Sequence, residues 1–105
     1  MPRVAYLLKI RDGREEEYVK EHQNVWPELI QLLRAVGFRN YTIFKRGLVL
    51  FVYVEADYFE KSLQDLISHP TYKRWSDRME SIMESHPETL PKELFPMLTE
   101  VFHID

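Results

Sequence analysis

The stretch LVLFVYV, from Leu48 to Val54, is apolar on both faces when read as a strand. A strand in a sheet with one wet face alternates apolar and polar residues, so this one demands cover on both sides. Phe38 to Lys45 reads as a strand, Arg46-Gly47 as a tight turn, and Leu48 to Glu55 as the strand that returns. Together they form a β-hairpin. Helices can cover one face of the sheet that contains it. The chain has 105 residues, one domain's worth, and little else is left for the second face. A second copy packed sheet against sheet would cover it, so a homodimer is expected. A C-terminal loop folded over that face is the alternative.

The rest of the chain supplies the partners of this hairpin. Val4 to Ile10 reads as a strand ended by the Asp12-Gly13 turn. Arg14 to His22 is charged and helix-permissive. Pro27 to Val36 is a second helical stretch, with Leu29, Leu33 and Val36 on one face. Pro27 suits a first helical turn, or a kink in one long helix, and Gly37 is a plausible stop. Asp57 is placed to cap a helix from about Tyr58 to Ser68. Pro70 opens another, to about Glu84, and Leu98 to Ile104 reads as the last strand. The order β-α-β-β-α-β with an extra helix predicts a single α+β domain over the whole chain: a ferredoxin-like antiparallel sheet.

Composition removes several classes of function. Net charge is −3, which argues against nucleic acid. There is no cysteine, hence no disulfide framework and no thiolate nucleophile or metal ligand. The three glycines stand in no phosphate-binding spacing, and no serine lies in a G-x-S-x-G setting. The N-terminal apolar run is too short to span a membrane and has no signal-peptide pattern. The cytoplasm is therefore the expected compartment.

Four histidines could transfer protons near neutral pH. His69 and His86 each precede a proline at a helix end and read as solvated. His103 falls in phase with Val101 on the last strand. His22 differs, because Tyr18 precedes it by four residues and a helix puts both on one face. If that helix ran on, Trp26 would complete a stripe of phenol, imidazole and indole. The same spacing also describes a core-facing aromatic stripe with a hydrogen-bonded histidine. No metal-binding spacing surrounds His22, although Glu17 and Glu21 are close in sequence. Tyr41 and Trp75 could be core residues or walls of a pocket between sheet and helices. A sugar site wants flat apolar rings and a few convergent hydrogen-bonding groups. Tyr18, Tyr41, Trp75, Trp26 and His22 meet that description if they converge.

The run Tyr18-x-x-x-His22-x-x-x-Trp26-Pro27-Glu28-Leu29, followed by Gly37-x-x-Asn40-Tyr41-x-Ile43, resembles the L-rhamnose mutarotase family. The tail Leu98 to Ile104 and the Trp75, Met79, Met83 series are also similar, so the resemblance covers essentially the whole chain. It implies a dimeric α+β barrel of ferredoxin-like subunits and interconversion of pyranose anomers without cofactor or metal. It implies that His22 is the catalytic proton donor. Opening the ring requires a proton at the ring oxygen, so His22 is expected to donate there. A tyrosine, a water or a second base would serve the anomeric hydroxyl. Tyr18, Tyr41, Trp75, Trp26 and Ser76 would line the sugar site. Where many members show two consecutive tryptophans, this chain has Trp75-Ser76, which bears on the sugar preferred: L-rhamnose, or L-fucose or L-lyxose. The hairpin near Arg46-Gly47 also looks slightly shortened.

Other functions share this architecture. A haem-degrading or cofactor-free monooxygenase also combines helix His, Asn and Trp, and His22, Asn24 and Trp26 are neighbours here. A non-catalytic sugar-binding module and a purely structural dimer are the remaining readings.

Overall fold

The computed structural model describes residues 2–105. Strand β1 (Arg3–Ile10) leads to helices α1 (Glu15–Gln23) and α2 (Pro27–Ala35). Strands β2 (Arg39–Arg46) and β3 (Val49–Glu55) follow, then α3 (Phe59–Ile67), α4 (Pro70–Met79) and the short β4 (Met83–Glu84) and β5 (Met97–Leu98). The sheet order is β2-β3-β1-β4, with β5 also paired to β1, and every pairing is antiparallel. This is the expected ferredoxin-like order. The α1–α2 pair forms the first crossover and the α3–α4 pair the second. No helix among the described residues is long and apolar enough to cross a membrane.

The two faces of the sheet differ as the Leu48–Val54 pattern requires. Leu50, Val52 and Val54 are fully buried, and Tyr6 and Ile10 of β1 lie on the same face. Helices cover that side through Leu29, Leu66, Trp75 and Met79. On the other side Phe51 pairs directly with both Leu7 and Phe44, so all three share a face. There Val49, Phe51 and Leu98 are exposed, and Phe44 is 62% exposed. The C-terminal segment does not cover them: Val101, Phe102 and Ile104 are themselves exposed.

Several boundaries depart from the sequence reading. The hairpin pairs Arg46 with Val49, so the turn is Gly47-Leu48 rather than Arg46-Gly47, and Gly47 takes a φ of +58° that favours glycine. Asp57 does not cap α3; the N-cap position is Tyr58, without a side-chain cap. Helix α4 stops at Met79 instead of running to Glu84. The Ile82 carbonyl accepts from Arg11 N, and Met83 and Glu84 pair with Ile10 and Lys9. An open edge of β1 offers partners that a longer helix would leave unpaired, and tertiary pairing overrides local propensity there. The expected last strand over Leu98 to Ile104 reduces to Met97–Leu98. Pairing matches Ala5 with Leu98, so beyond Arg3 there is no strand left to join. His103 is accordingly in an irregular segment, its Nε2 2.8 Å from Asp105.

Candidate functional site

Of the aromatic residues singled out by sequence, Tyr18, His22, Trp26 and Trp75 are brought together from three separate elements. Helix α1 carries Glu15, Glu16 and Glu17 in its first turn and Lys20 and His22 in its last, which suits the helix dipole. Its buried residue is Tyr18. Helical spacing stacks the His22 ring on the Tyr18 ring, with centroids 4.1 Å apart and planes 24° from parallel. The helix does not continue to Trp26. Trp26 precedes proline and takes ψ of 132°, as residues before proline do, and α2 begins at Pro27. The stripe is completed across space instead. The Trp75 ring of α4 meets His22 edge-on at 5.5 Å and Trp26 edge-on at 5.2 Å. Arg78, on the same helix, holds Glu21 of α1 through contacts of 2.9 and 2.7 Å.

His22 is half-buried and its Nδ1 lies 3.0 Å from the Tyr18 carbonyl. A carbonyl only accepts, so Nδ1–H donates, and Nε2 is the ring atom left for chemistry. Burial holds the imidazole below its ordinary pKa, opposed in part by the Tyr18 carbonyl and by Glu21. The neutral ring with a free Nε2 lone pair is therefore the main form at neutral pH.

Tyr41 is placed beside Tyr6 and Phe38. Tyr41 of β2 lies within an irregularity between Arg39 and Thr42, where Asn40 takes a positive φ. Its hydroxyl lies 2.8 Å from that of Tyr6 on β1. Tyr41 is 36% exposed as a residue, yet its hydroxyl end is buried, and burial pushes it up to about 12. Burial also raises Tyr6, Tyr18 and Tyr72 above the usual phenol range. All four are neutral donors at pH 7. Tyr6 and Tyr72 were not singled out by sequence. The signal for Tyr6 was its alternation with Leu8 and Ile10 on β1; for Tyr72, its position three residues before Trp75 on one helix face.

Ser76 and Asn24 stand apart. Both are exposed, Ser76 on the outer side of α4 and Asn24 at the C-cap of α1. His69 and His86 make local turns, each accepting at Nδ1 from a backbone N–H two residues on. Two open clefts lie elsewhere: one of about 230 Å³ between Gly37 and Ser62, another of about 470 Å³ along Glu16 and Lys45. Neither includes His22, Trp75 or Tyr41. Among the described residues no three His, Asp or Glu side chains are grouped to hold a metal ion.

Comparison with known proteins places these residues in context. A family model described as L-rhamnose mutarotase matches residues 3–104. The L-rhamnose mutarotase of Flavobacterium johnsoniae is 38% identical, covering 98% of this chain and 95% of that protein. That of Bacteroides thetaiotaomicron is 36% identical over the full length of both. Among solved structures, the L-rhamnose mutarotase of Formosa agariphila superposes with a TM-score of 0.82 at 31% identity, covering 100% of each chain. Tetracenomycin F2 cyclase of Streptomyces glaucescens, a type II polyketide cyclase, superposes with a TM-score of 0.66 at 18% identity, covering 99% of this chain and 96% of that one, and shares the fold alone.

Proposed function

The chain belongs to the L-rhamnose mutarotase family, and from that premise we propose that it interconverts the α and β anomers of L-rhamnose by proton transfer at His22. It is an isomerase of the family's kind. The observation that supports the residue assignment is the fixed orientation of His22: Nδ1 is tied to the Tyr18 carbonyl, which leaves Nε2 for chemistry, and the ring meets Trp75 edge-on.

Mutarotation moves one proton between two oxygens on the same carbon. The neutral Nε2 takes the proton of the anomeric hydroxyl and delivers it to the ring oxygen as the bond from the anomeric carbon to that oxygen breaks. His22 thus serves as proton donor to the ring oxygen with a proton it has just received. The open-chain aldehyde turns about the bond to its carbonyl carbon. Closure reverses the transfers: the former ring hydroxyl gives its proton to Nε2 while attacking the other face, and Nε2 returns it to the carbonyl oxygen. Atoms and charge balance, and the imidazole ends as it began. A well-placed acid–base group of this kind contributes about 10²–10⁴-fold.

Trp75 and Trp26 offer apolar faces to the C–H side of the sugar, and Tyr18 and Tyr41 offer hydroxyl donors to its oxygens. Ser76, exposed on the outer side of α4, takes no part in this arrangement. No metal or cofactor enters this scheme. The active form is a homodimer, with the exposed sheet face around Phe44, Val49 and Phe51 packed against a second copy. A cysteine-free chain suits the reducing cytoplasm.

The test is proton NMR of L-rhamnose at equilibrium, saturating one anomeric proton and observing the other. Saturation transfer that depends on catalytic amounts of protein is the expected result. Unchanged transfer with folded protein at any sugar tried among L-rhamnose, L-fucose and L-lyxose refutes the activity.

A further inference from the structure

We propose that Tyr6 is a positioning residue for the sugar-binding hydroxyl of Tyr41: the Tyr6 O–H donates to the Tyr41 oxygen and so leaves the Tyr41 proton directed to the substrate. This rests on the assignment of Tyr41 to the sugar site, and goes beyond it by naming a residue that touches no substrate.

The direction of the bond follows from burial. Two hydroxyls 2.8 Å apart hold two protons but share one hydrogen bond. Tyr6 is only 5% exposed. Its ring is stacked on Phe95 with centroids 4.0 Å apart and tilted against Phe59 at 6.1 Å. Tyr41 is the hydrogen-bond partner that the structure gives its hydroxyl. Were Tyr41 the donor, the Tyr6 proton would be left without the one hydroxyl partner the structure gives it, and an unmade buried hydrogen bond is costly. With Tyr6 as donor, the Tyr6 hydroxyl is served and the unspent proton belongs to Tyr41, the residue of the two with the larger exposed surface. An oxygen that accepts one hydrogen bond also becomes a better donor through its own O–H.

Position supports the same role. Tyr6 sits on β1 between β3 and the β4–β5 edge, in the sheet that also carries Tyr41 on β2. A strand residue packed between two phenylalanines has little freedom, so the hydroxyl it offers is fixed before substrate arrives. Preorganised donors lose less entropy on binding.

The experiment is a double-mutant cycle of Tyr6→Phe and Tyr41→Phe, read by anomer exchange and by calorimetry of L-rhamnose binding. Tyr6→Phe keeps the ring and its stacking. It is expected to raise KM roughly 3- to 10-fold with kcat little changed, the size of one neutral hydrogen bond. In the Tyr41→Phe background the same substitution should change neither KM nor Kd. Equal losses in both backgrounds would overturn the proposal, since Tyr6 would then act on the fold alone. No loss in either background would overturn it too. If the wild type exchanges no anomers yet binds rhamnose, the activity fails, and the coupling in Kd still decides the role of Tyr6. If it binds no rhamnose, both fail.

Discussion

Arg78 on α4 grips Glu21 on α1 with both ends of its guanidinium, Nη2 2.7 Å from Oε1 and Nε 2.9 Å from Oε2. Glu21 immediately precedes His22, and Arg78 lies one helical turn beyond Trp75. The pair therefore spans the two helices whose rings meet at the site. Two parallel charge-assisted bonds fix an angle as well as a distance. The Glu21 carboxyl is held below its usual pKa by the hydrogen bonds from Arg78. The clamp ties the helix that carries His22 to the helix that carries Trp75.

Arg78→Ala should separate placement of His22 from bulk stability. The guanidinium is more than half exposed, and exposed ion pairs contribute only about 0–1 kcal/mol. Urea unfolding should change by no more than that. Anomer exchange should fall several-fold, because a small shift of α1 misplaces Nε2. Raising salt on the wild type should move activity in the same direction, since screening weakens an exposed pair. A variant as active as the wild type would remove the clamp from the account.

His22→Ala removes the transferring nitrogen and leaves Tyr18 and Trp75 in place. The exchange rate should drop about 10²–10⁴-fold, while far-UV circular dichroism and the unfolding midpoint stay close to those of the wild type. His22→Gln, which keeps a group able to bond the Tyr18 carbonyl but cannot accept and release a proton at neutral pH, should be equally inactive. Activity that survives in either folded variant would move the chemistry to another group.

The pH dependence follows from the lowered pKa of His22, caused chiefly by its burial. The neutral ring starts each turnover, so exchange should rise with pH through a midpoint below the ordinary 6.5 and stay level at neutral pH. Stability moves with the same sign. In the unfolded chain His22 titrates near 6.5, so as pH falls below that value the unfolded state takes up the proton first. The stability tied to a neutral His22 is thus present above 6.5 and lost as pH falls through the folded pKa. Urea unfolding of wild type against His22→Gln at several pH values between 5 and 8 reads this directly. A rate that falls with rising pH through that midpoint would make the imidazolium the starting form.

How much of this could be read in the sequence depends on how local each feature is. The Tyr18–His22 stack needs only one helical turn, and the spacing gave it away. Sheet order followed from the β-α-β-β-α-β pattern. The Trp75 contacts needed α4 to cross α1, which no local pattern records, so convergence of the site stayed conditional. The Tyr6–Tyr41 bond joins residues 35 positions apart, and no local pattern records such a pairing. The last strand was misplaced for a related reason. Leu98 to Ile104 has the composition of a strand, but a strand exists only where a neighbour offers hydrogen bonds, and β1 ends at Arg3.

The same argument leads to the exposed sheet face. Phe44, Val49, Phe51 and Leu98 lie on one side of the sheet with no helix over them, and Val101, Phe102 and Ile104 extend beyond its edge, each exposed. A single chain gains nothing by presenting these together to water, whereas two copies meeting face to face would bury them. Sedimentation should give twice the 12.7 kDa chain mass at micromolar concentration. Phe51→Asp places a charge at the centre of that face, where desolvating it opposes association. It should yield a monomer with the circular dichroism of the wild type, because Phe51 contributes to the outer face and Leu50 and Val52 to the core. Phe102→Asp probes the extended segment in the same way. If the wild type sediments as a monomer, or if Phe51→Asp remains dimeric, this face is not where two copies meet.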